Sequence, residues 1–261
     1  MKRVVVISDL HCGHLVGLTH PDFDSKPNNI ESVFYQMWKR RNRYWKKYAQ
    51  AMEQLQPIDV LIVNGDVIDG KGLKSGSTEL LLADRVDQVE CAIACIEQAK
   101  AKKVFMSYGT GYHEGNIDDW AKGVANGANV QRINSHWWID VNGLTFDYKH
   151  HVGSSSVPYG RMTAIAKEWV WNIIKSKDNE YPESDIIIRS HVHYFSYGGG
   201  GDWLALTTPA LQGHQTKYGE RRMSGSVDWG LVYFDVSEKG EFDWKWMIYN
   251  FIQDRVVATK V

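Results

Sequence analysis

The sequence predicts an α/β protein, a four-layer α/β/β/α sandwich of two mixed sheets flanked by helices. Three observations predict it. Short, β-branched apolar runs at Val4 to Ile7, Asp59 to Val63 and Asp185 to Ile188 read as strands buried on both faces. Long helical stretches separate the early strands, which is the order that builds parallel pairs. Later the apolar spacing changes to two, over His136 to Val141, Leu144 to Tyr148, Gly230 to Val236 and Phe242 to Ile248, the pattern of antiparallel partners.

Composition narrows the class. With 261 residues and 43% hydrophobic content the chain can bury one large core, and it is read as a single domain over 1–261. Thirty basic residues balance 31 acidic ones, so the molecule as a whole is no generic polyanion binder, and any nucleic-acid contact must be local. Of the three cysteines, Cys12 follows the first strand, while Cys91 and Cys95 share a helix face. Their sparse, odd number suits reduced thiols in a cytoplasmic protein. The apolar run after Met1-Lys2-Arg3 is too short for a signal peptide and no stretch could span a bilayer, so a soluble protein without a membrane partner is expected.

In chain order, Val4 to Ile7 ends at Ser8-Asp9-Leu10-His11. Asp9 and His11 are alternate residues of a nearly extended segment, so their side chains can converge, and an oxygen beside a nitrogen suits a divalent metal. The connection from Cys12 to Asn29 is too long for a plain turn, which marks it as functional or mobile. Val33, Phe34, Met37, Arg41, Tyr44, Trp45, Tyr48, Met52 and Leu55 then recur at helical spacing, with Lys39, Arg40, Arg43, Lys46 and Lys47 on the opposite face. Long loop and basic helix together occupy about 12–56. Pro57 stops the helix, and the strand Asp59 to Val63 leads into Asn64-Gly65-Asp66-Val67-Ile68-Asp69-Gly70. A second helix is expected from Thr78 to Lys102, with Leu81, Leu82, Val86, Val89, Ile93 and Ile96 buried. A third strand, Lys103 to Ser107, runs into Tyr108-Gly109-Thr110-Gly111-Tyr112-His113-Glu114. Three strand ends thus deliver Asp/His, Asp/Asp and His/Glu, above the sheet edge where open α/β sheets keep their sites.

A short helix is expected over Asn116 to Asn129, beginning at Asp118, Asp119 and Trp120. The hairpin that follows turns at Asn142-Gly143, and its second arm ends at His150-His151. After a helix over Tyr159 to Lys175, the strand Asp185 to Ile188 ends in Ser190-His191-Val192-His193. Gly198 to Gly201 lack the lysine and Ser/Thr of a phosphate loop and read as a hairpin tip before a strand over Trp203 to Thr207. Arg161, Arg221 and Arg222 read as surface residues. No Ser-His-Asp set, P-loop or dinucleotide fingerprint competes with this constellation.

Collected, the polar strand ends are Asp9, His11, Asp66, Asp69, His113, His150 or His151, His191 and His193. Carboxylates and imidazoles without thiolate fit a catalytic two-metal centre. Asp9-Leu10-His11, Gly65-Asp66-Val67-Ile68-Asp69, Gly111-Tyr112-His113-Glu114, a later histidine and Ser190-His191-Val192-His193 resemble, in order, the five signatures of the calcineurin-like metallophosphoesterases. The resemblance implies that Asp9, His11 and His193 hold one metal, that Asp66 bridges, and that His191 with His150 or His151 serves the second. It casts His113 as stabiliser of the phosphoryl group or acid for the leaving group, oriented by Asp69. Alternation along the strand favours His150 over His151. The expected cofactors are two divalent ions, Mn²⁺ before Zn²⁺, Fe²⁺ or Fe³⁺, Ni²⁺ and Mg²⁺.

Two positions depart from the family pattern. Tyr112 stands where the family has an asparagine ligand, which leaves the second metal bound more weakly or completed by water or Thr110. Ser190 stands where the family has glycine. Gly109-Thr110-Gly111-Tyr112-His113 resembles a variant in phage and prophage members, which implies a bacterial or phage-infected cytoplasm. The expected activity is hydrolysis of a phosphoester, a diester such as nucleic acid or a nucleotide before a monoester, with the basic helix 39–47 as the nucleic-acid contact. A non-catalytic scaffold with a degenerate site is the rival.

Overall fold

The computed structural model describes every residue except 116, 118, 200–202, 215, 217–224, 252–257 and 260–261. Strands β1 (Lys2–Ile7), β2 (Val60–Asn64), β3 (Lys103–Ser107) and β4 (Arg132–Asn134) run parallel. A second sheet holds β5 (His136–Val141), β6 (Leu144–Lys149), β7 (Ile186–Arg189), β8 (Ser196–Gly199) and β9 (Leu204–Thr207), in the order β5-β6-β7-β9-β8. The antiparallel pair β10 (Gly230–Val236) and β11 (Phe242–Ile248) returns to the first sheet and completes the order β11-β10-β1-β2-β3-β4.

Alternation along the strands sorts side chains into layers. Val4, Val6, Val60 and Ile62 face the other sheet and meet Phe146, Ile186, Ile188 and Leu206. Val5, Ile7, Leu61 and Val63 face outward to a helical layer made by α1 (Val33–Gln54), α2 (Arg85–Glu97) and α4 (Trp120–Gly127). Between α2 and α4 lies the single turn α3 (Gly111–Glu114), and α5 (Arg161–Lys177) covers the second sheet by packing Ile165 on Ile187 and Ala205. The result is the expected α/β/β/α stack. Each fully buried Val or Ile contributes about 1.5–3 kcal/mol, so strands apolar on both faces hold the two sheets together.

Several boundaries differ from expectation. The helix expected from Thr78 begins only at Arg85, because the Asp84 carboxylate accepts from Val86 N–H and caps it. Residues 78–83 instead form a wall, with Leu81 and Leu82 N–H donating to Gly13 O, and Val86 is 51% exposed rather than buried. The buried side of α2 is Gln88, Cys91, Ala92, Cys95 and Ile96. Likewise α4 starts at Trp120 under an Asp119 cap, while residue 118 lies outside the described residues. The helix expected from Tyr159 starts at Arg161, after a 3-10 turn over Pro158–Gly160. On α1, Val33 and Phe34 are exposed, whereas Arg41 is buried and bidentate to Asp24 at 2.8 and 3.0 Å. Arg41 also donates to Leu15 O, which fastens the long loop to the helix. Gly198 and Gly199 lie within β8, not in a turn, and residues 200, 201, 221 and 222 lie outside the described residues.

Arg189, fully buried on β7, donates to Asp147 at 2.6 Å and Glu168 at 2.8 Å, and His136 joins Asp147 at 2.8 Å. Burial opposes charge on Asp147, but Arg189 and His136 outweigh it and hold the carboxyl below its ordinary value. Arg189→Met should therefore lower stability by about 3–5 kcal/mol in urea denaturation at neutral pH, since it strands a buried carboxylate. The stabilisation from Asp147 is present above the ordinary aspartate pKa and lost as pH falls toward the depressed one, so the gap between variant and wild type should narrow in acid.

Candidate metal centre

Parallel strands from both sheets end at one edge, and the loops beyond them supply the polar groups. Five of those residues take a left-handed backbone, with φ of 50° at Asp9, 45° at His11, 49° at Asp66, 73° at His191 and 54° at His193. Non-glycine residues adopt this region at a cost of about 1–3 kcal/mol each, so such clustering marks a place where geometry serves a site. Close approach explains two glycines. A Cβ on Gly65 would lie 2.6 Å from the His150 ring, and one on Gly109 would meet Asp66 N.

Asp9, His11 and His193 bring one ligand atom each within 4.8 Å of one another; so do Asp66, His150 and His191, and so do His11, Asp69 and His113. Asp9 Oδ1 lies 3.2 Å from His193 Nε2 and 3.9 Å from His150 Nε2, so it faces the first two groups together. His150 Nε2 is 3.0 Å from Asp66 Oδ2, and His191 Nδ1 is 3.9 Å from the same oxygen.

Three imidazoles have their tautomer set by an acceptor behind them. His150 Nδ1–H donates to Asn64 O at 2.7 Å, His113 Nδ1–H to Asp69 O at 2.8 Å, and His11 Nδ1–H to the Asp69 carboxylate at 3.1 Å. Each turns Nε2 toward the site, where the neutral ring would offer its lone pair to a cation. His11 Nε2 stands 3.3 Å from His193 Nε2. Asp9 Oδ1 and His150 Nε2 are buried without a hydrogen-bond partner. Buried groups of this kind are costly unless something completes them, and a carboxylate oxygen facing imidazole nitrogens is a donor set that fits a divalent cation.

The electrostatics agree with that fit. Burial pushes the Asp9 carboxyl up, but His193 and His150 outweigh it and hold it at about 2. Burial and the neighbouring His113 drive His11 down to about 4, which keeps it neutral. Burial also opposes charge on His150, yet Asp66 and Asp9 push it up to about 10. The carboxylates thus draw positive charge into their pocket.

All the sequence-singled residues except His151 gather here. His151 is exposed, and its ring lies 4.9 Å from that of His191, outside each of the three groups; the imidazole among them is His150. Asp69 meets His113 through its carbonyl, while its carboxylate holds His11. Tyr112 turns its phenol to Lys74 N–H at 2.6 Å. Thr110 donates through both N–H and Oγ1–H to Asp66 Oδ1, at 2.6 and 3.0 Å. Ser190 is used rather than tolerated: its hydroxyl accepts from Asn64 Nδ2 at 2.6 Å and meets Thr208 Oγ1 at 2.7 Å, tying the two sheets below the site.

Sequence reasoning missed three supports. Asn64, fully buried, takes the Ser107 hydroxyl on its other end. Glu114 accepts from Val67 N–H and Gly109 N–H and so braces both turns around Asp66; burial and nearby Asp66 push its carboxyl up to about 8. Gln88 exchanges two hydrogen bonds with Gly70 and donates to Leu82 O, pinning both ends of the 70–82 wall. A polar residue in an otherwise apolar strand or helix face was the available signal.

The model of the calcineurin-like phosphoesterase family matches residues 2–195, three quarters of the chain. The chain belongs to that family. Membership supports a metal-dependent phosphoesterase, and the donor set described above is the part of this family member that would serve it. No curated protein matches the sequence significantly. Among solved structures, an archaeal phosphodiesterase is similar at 13% identity with a TM-score of 0.50, covering 94% of this chain and all of that one. A Vps29 single mutant from Entamoeba histolytica, at 13% identity and TM-score 0.47, covers 95% of this chain and all of its own. Vps29 from Chaetomium thermophilum, at 11% and 0.47, covers 95% and 98%. The first of these likenesses bears on the fold alone, which is the same layered sandwich.

Because Asp69 supports His11 from behind, Asp69→Asn should weaken divalent-metal binding by about 10–100-fold, measured by calorimetric titration of chelator-treated protein. Asp66→Asn should weaken it further. Equal affinities for Asp66→Asn and wild type would remove Asp66 from the ligand set.

Proposed function

We propose that this phosphoesterase is a binuclear hydrolase acting on phosphodiesters. The observation that carries the reading is Asp9 Oδ1, buried, without a hydrogen-bond partner, and facing two separate groups of imidazoles at 3.2 and 3.9 Å. One cation would be held by Asp9, His11 and His193, the other by His150 and His191, with Asp66 between them. Mn²⁺ suits this mixture of imidazole and carboxylate donors, as do Zn²⁺ and iron. When bound, such a pair supplies an activated water and neutralises charge on the phosphoryl oxygens.

The protein's own groups do the rest. His113, aimed by Asp69 O and half-buried, presents Nε2 to the cavity, where it would stabilise the phosphoryl oxygens or protonate the leaving group. Thr110 fixes the Asp66 carboxylate with two donors, so one oxygen is committed and the other stays with the imidazoles. Tyr112 is not a ligand in this scheme, and the remaining coordination falls to solvent.

The diester preference and the nucleic-acid contact rest on α1. Lys39, Lys46 and Lys47 are exposed on it, and Arg43, Lys46 and Lys47 border a groove with Tyr249, Asn250 and Phe251. The helix reaches the metal-site cavity through Tyr44, against which the cavity residue Gly213 packs. A helix with that charge pattern suits a phosphate backbone. The rival, a scaffold with a degenerate site, is disfavoured by the number of buried ionisable groups gathered in one place, which a fold without a bound cation has no need to keep.

His113→Ala should lower kcat on bis-p-nitrophenyl phosphate by about 10²–10⁴-fold while leaving metal content unchanged. A metal-loaded wild type inert toward both mono- and diesters would leave the scaffold reading. Replacing Lys39, Arg40, Arg43, Lys46 and Lys47 by glutamine should flatten the salt dependence of single-stranded DNA binding by about 0.7 per lost phosphate contact. An unchanged slope would take α1 out of the interface.

A further inference from the structure

We propose that Lys74 and Tyr112 form a second anion subsite beside the metal centre, which receives the phosphate next to the one hydrolysed. The inference rests on the phosphoesterase reading and narrows its substrate to esters carrying an adjacent phosphate, as in a 5′-phosphorylated oligonucleotide or a nucleoside polyphosphate.

A cavity of about 220 Å³ has His11, Asp66, His113 and His191 on its lining, together with Lys74, Ser75 and Tyr112. Lys74 is the only lysine or arginine among its described lining residues. Both ends of that residue are tied to one ring: its main-chain N–H donates to Tyr112 Oη at 2.6 Å, and its ammonium lies 4.4 Å from the Tyr112 ring centroid. The same ring stands edge-on to His113 with centroids 4.7 Å apart. Lysine, aromatic ring and His113 are therefore consecutive neighbours along the wall.

A cation–π contact orients an ammonium without neutralising it. Among the described residues Lys74 forms no ion pair with a carboxylate, so its charge is available to a ligand. The segment that carries it is held from behind, since Gln88 pins Gly70 and Leu82, and Ser77 N–H closes back on Gly72 O. One phosphoester needs only the metal centre and His113. A fixed ammonium two ring contacts away adds recognition of a second phosphate, as a charge-assisted hydrogen bond. The position that the family fills with an asparagine ligand has thus become, in Tyr112, the mount for a substrate-binding cation.

The test compares inorganic pyrophosphate with orthophosphate binding to the metal-loaded full chain by calorimetry. Lys74→Ala should weaken pyrophosphate by about tenfold, equivalent to about 1.4 kcal/mol, and change orthophosphate by less than about twofold. Lys74→Arg should restore most of the affinity, and Tyr112→Phe, which keeps the ring and loses the hydroxyl, should give an intermediate loss for pyrophosphate alone. Equal losses for both anions, or none, would overturn the subsite. Turnover separates the two readings: kcat/KM for a 5′-phosphorylated dinucleotide should fall in Lys74→Ala while that for bis-p-nitrophenyl phosphate holds. If wild type hydrolyses neither substrate the hydrolytic reading fails, and the pyrophosphate comparison still decides the subsite.

Discussion

Two carboxylates with almost no solvent contact, Asp9 and Asp66, stand among His11, His150, His191 and His193, and the rest of the molecule is arranged to keep them there. Charges taken out of water are tolerable only where opposite charge meets them at close range. The shifts follow from that: Asp9 is held at about 2 by His193 and His150, and His150 is pushed up to about 10 by Asp66 and Asp9, each against the effect of burial. A cation in the same place would meet the same field. Strain is stored there as well, in five non-glycine residues at positive φ, and packed strands on both sides hold it in place.

The two sheets matter because neither alone completes the Asp9, His11 and His193 set or the Asp66, His150 and His191 set. Asp9, His11 and Asp66 come from loops after β1 and β2, while His150, His191 and His193 come from loops after β6 and β7. The relative position of the sheets therefore sets the ligand distances. Apolar packing fixes the stacking, and the buried chain Ser107, Asn64, Ser190, Thr208 and Ser8 fixes it laterally through hydrogen bonds of 2.6 to 2.7 Å. Asn64 is the joint, because its carbonyl also orients His150. Replacing glycine with serine before the final His-x-His is, in this chain, part of that joint.

The wall from Gly70 to Leu82 shows how an unfavoured local sequence is used. Helical spacing suggests a helix from Thr78, yet with the Asp84 cap and the Gln88 side chain in place residues 78–83 form a wall that brings Glu79 to the cavity. The long loop after Cys12 is fastened in a similar way by Arg41, with the carboxylate of Asp24 and the carbonyl of Leu15 as its acceptors. Helical spacing placed Arg41 on the apolar stripe without saying what would neutralise it.

Much was legible in the chain by itself, for a physical reason. A strand buried on both faces must be apolar throughout, so a polar residue just beyond it stands out, and Asp9, His11, Asp66, Asp69, His113, His191 and His193 were all visible in that way. The order of helical and alternating stretches carried the layer arrangement. Of the neighbours His150 and His151, alternation along the strand only leaned to His150; the tertiary structure brings the His150 ring against Gly65 and beside Asp66. The fate of Tyr112 was not legible, since its partner lies 38 residues away in a loop that Gln88 and Gly13 help to shape. Sequence spacing determines which side chains reach a strand end, whereas their mutual distances and tautomers depend on contacts between remote segments, and those exist only once the two sheets have packed.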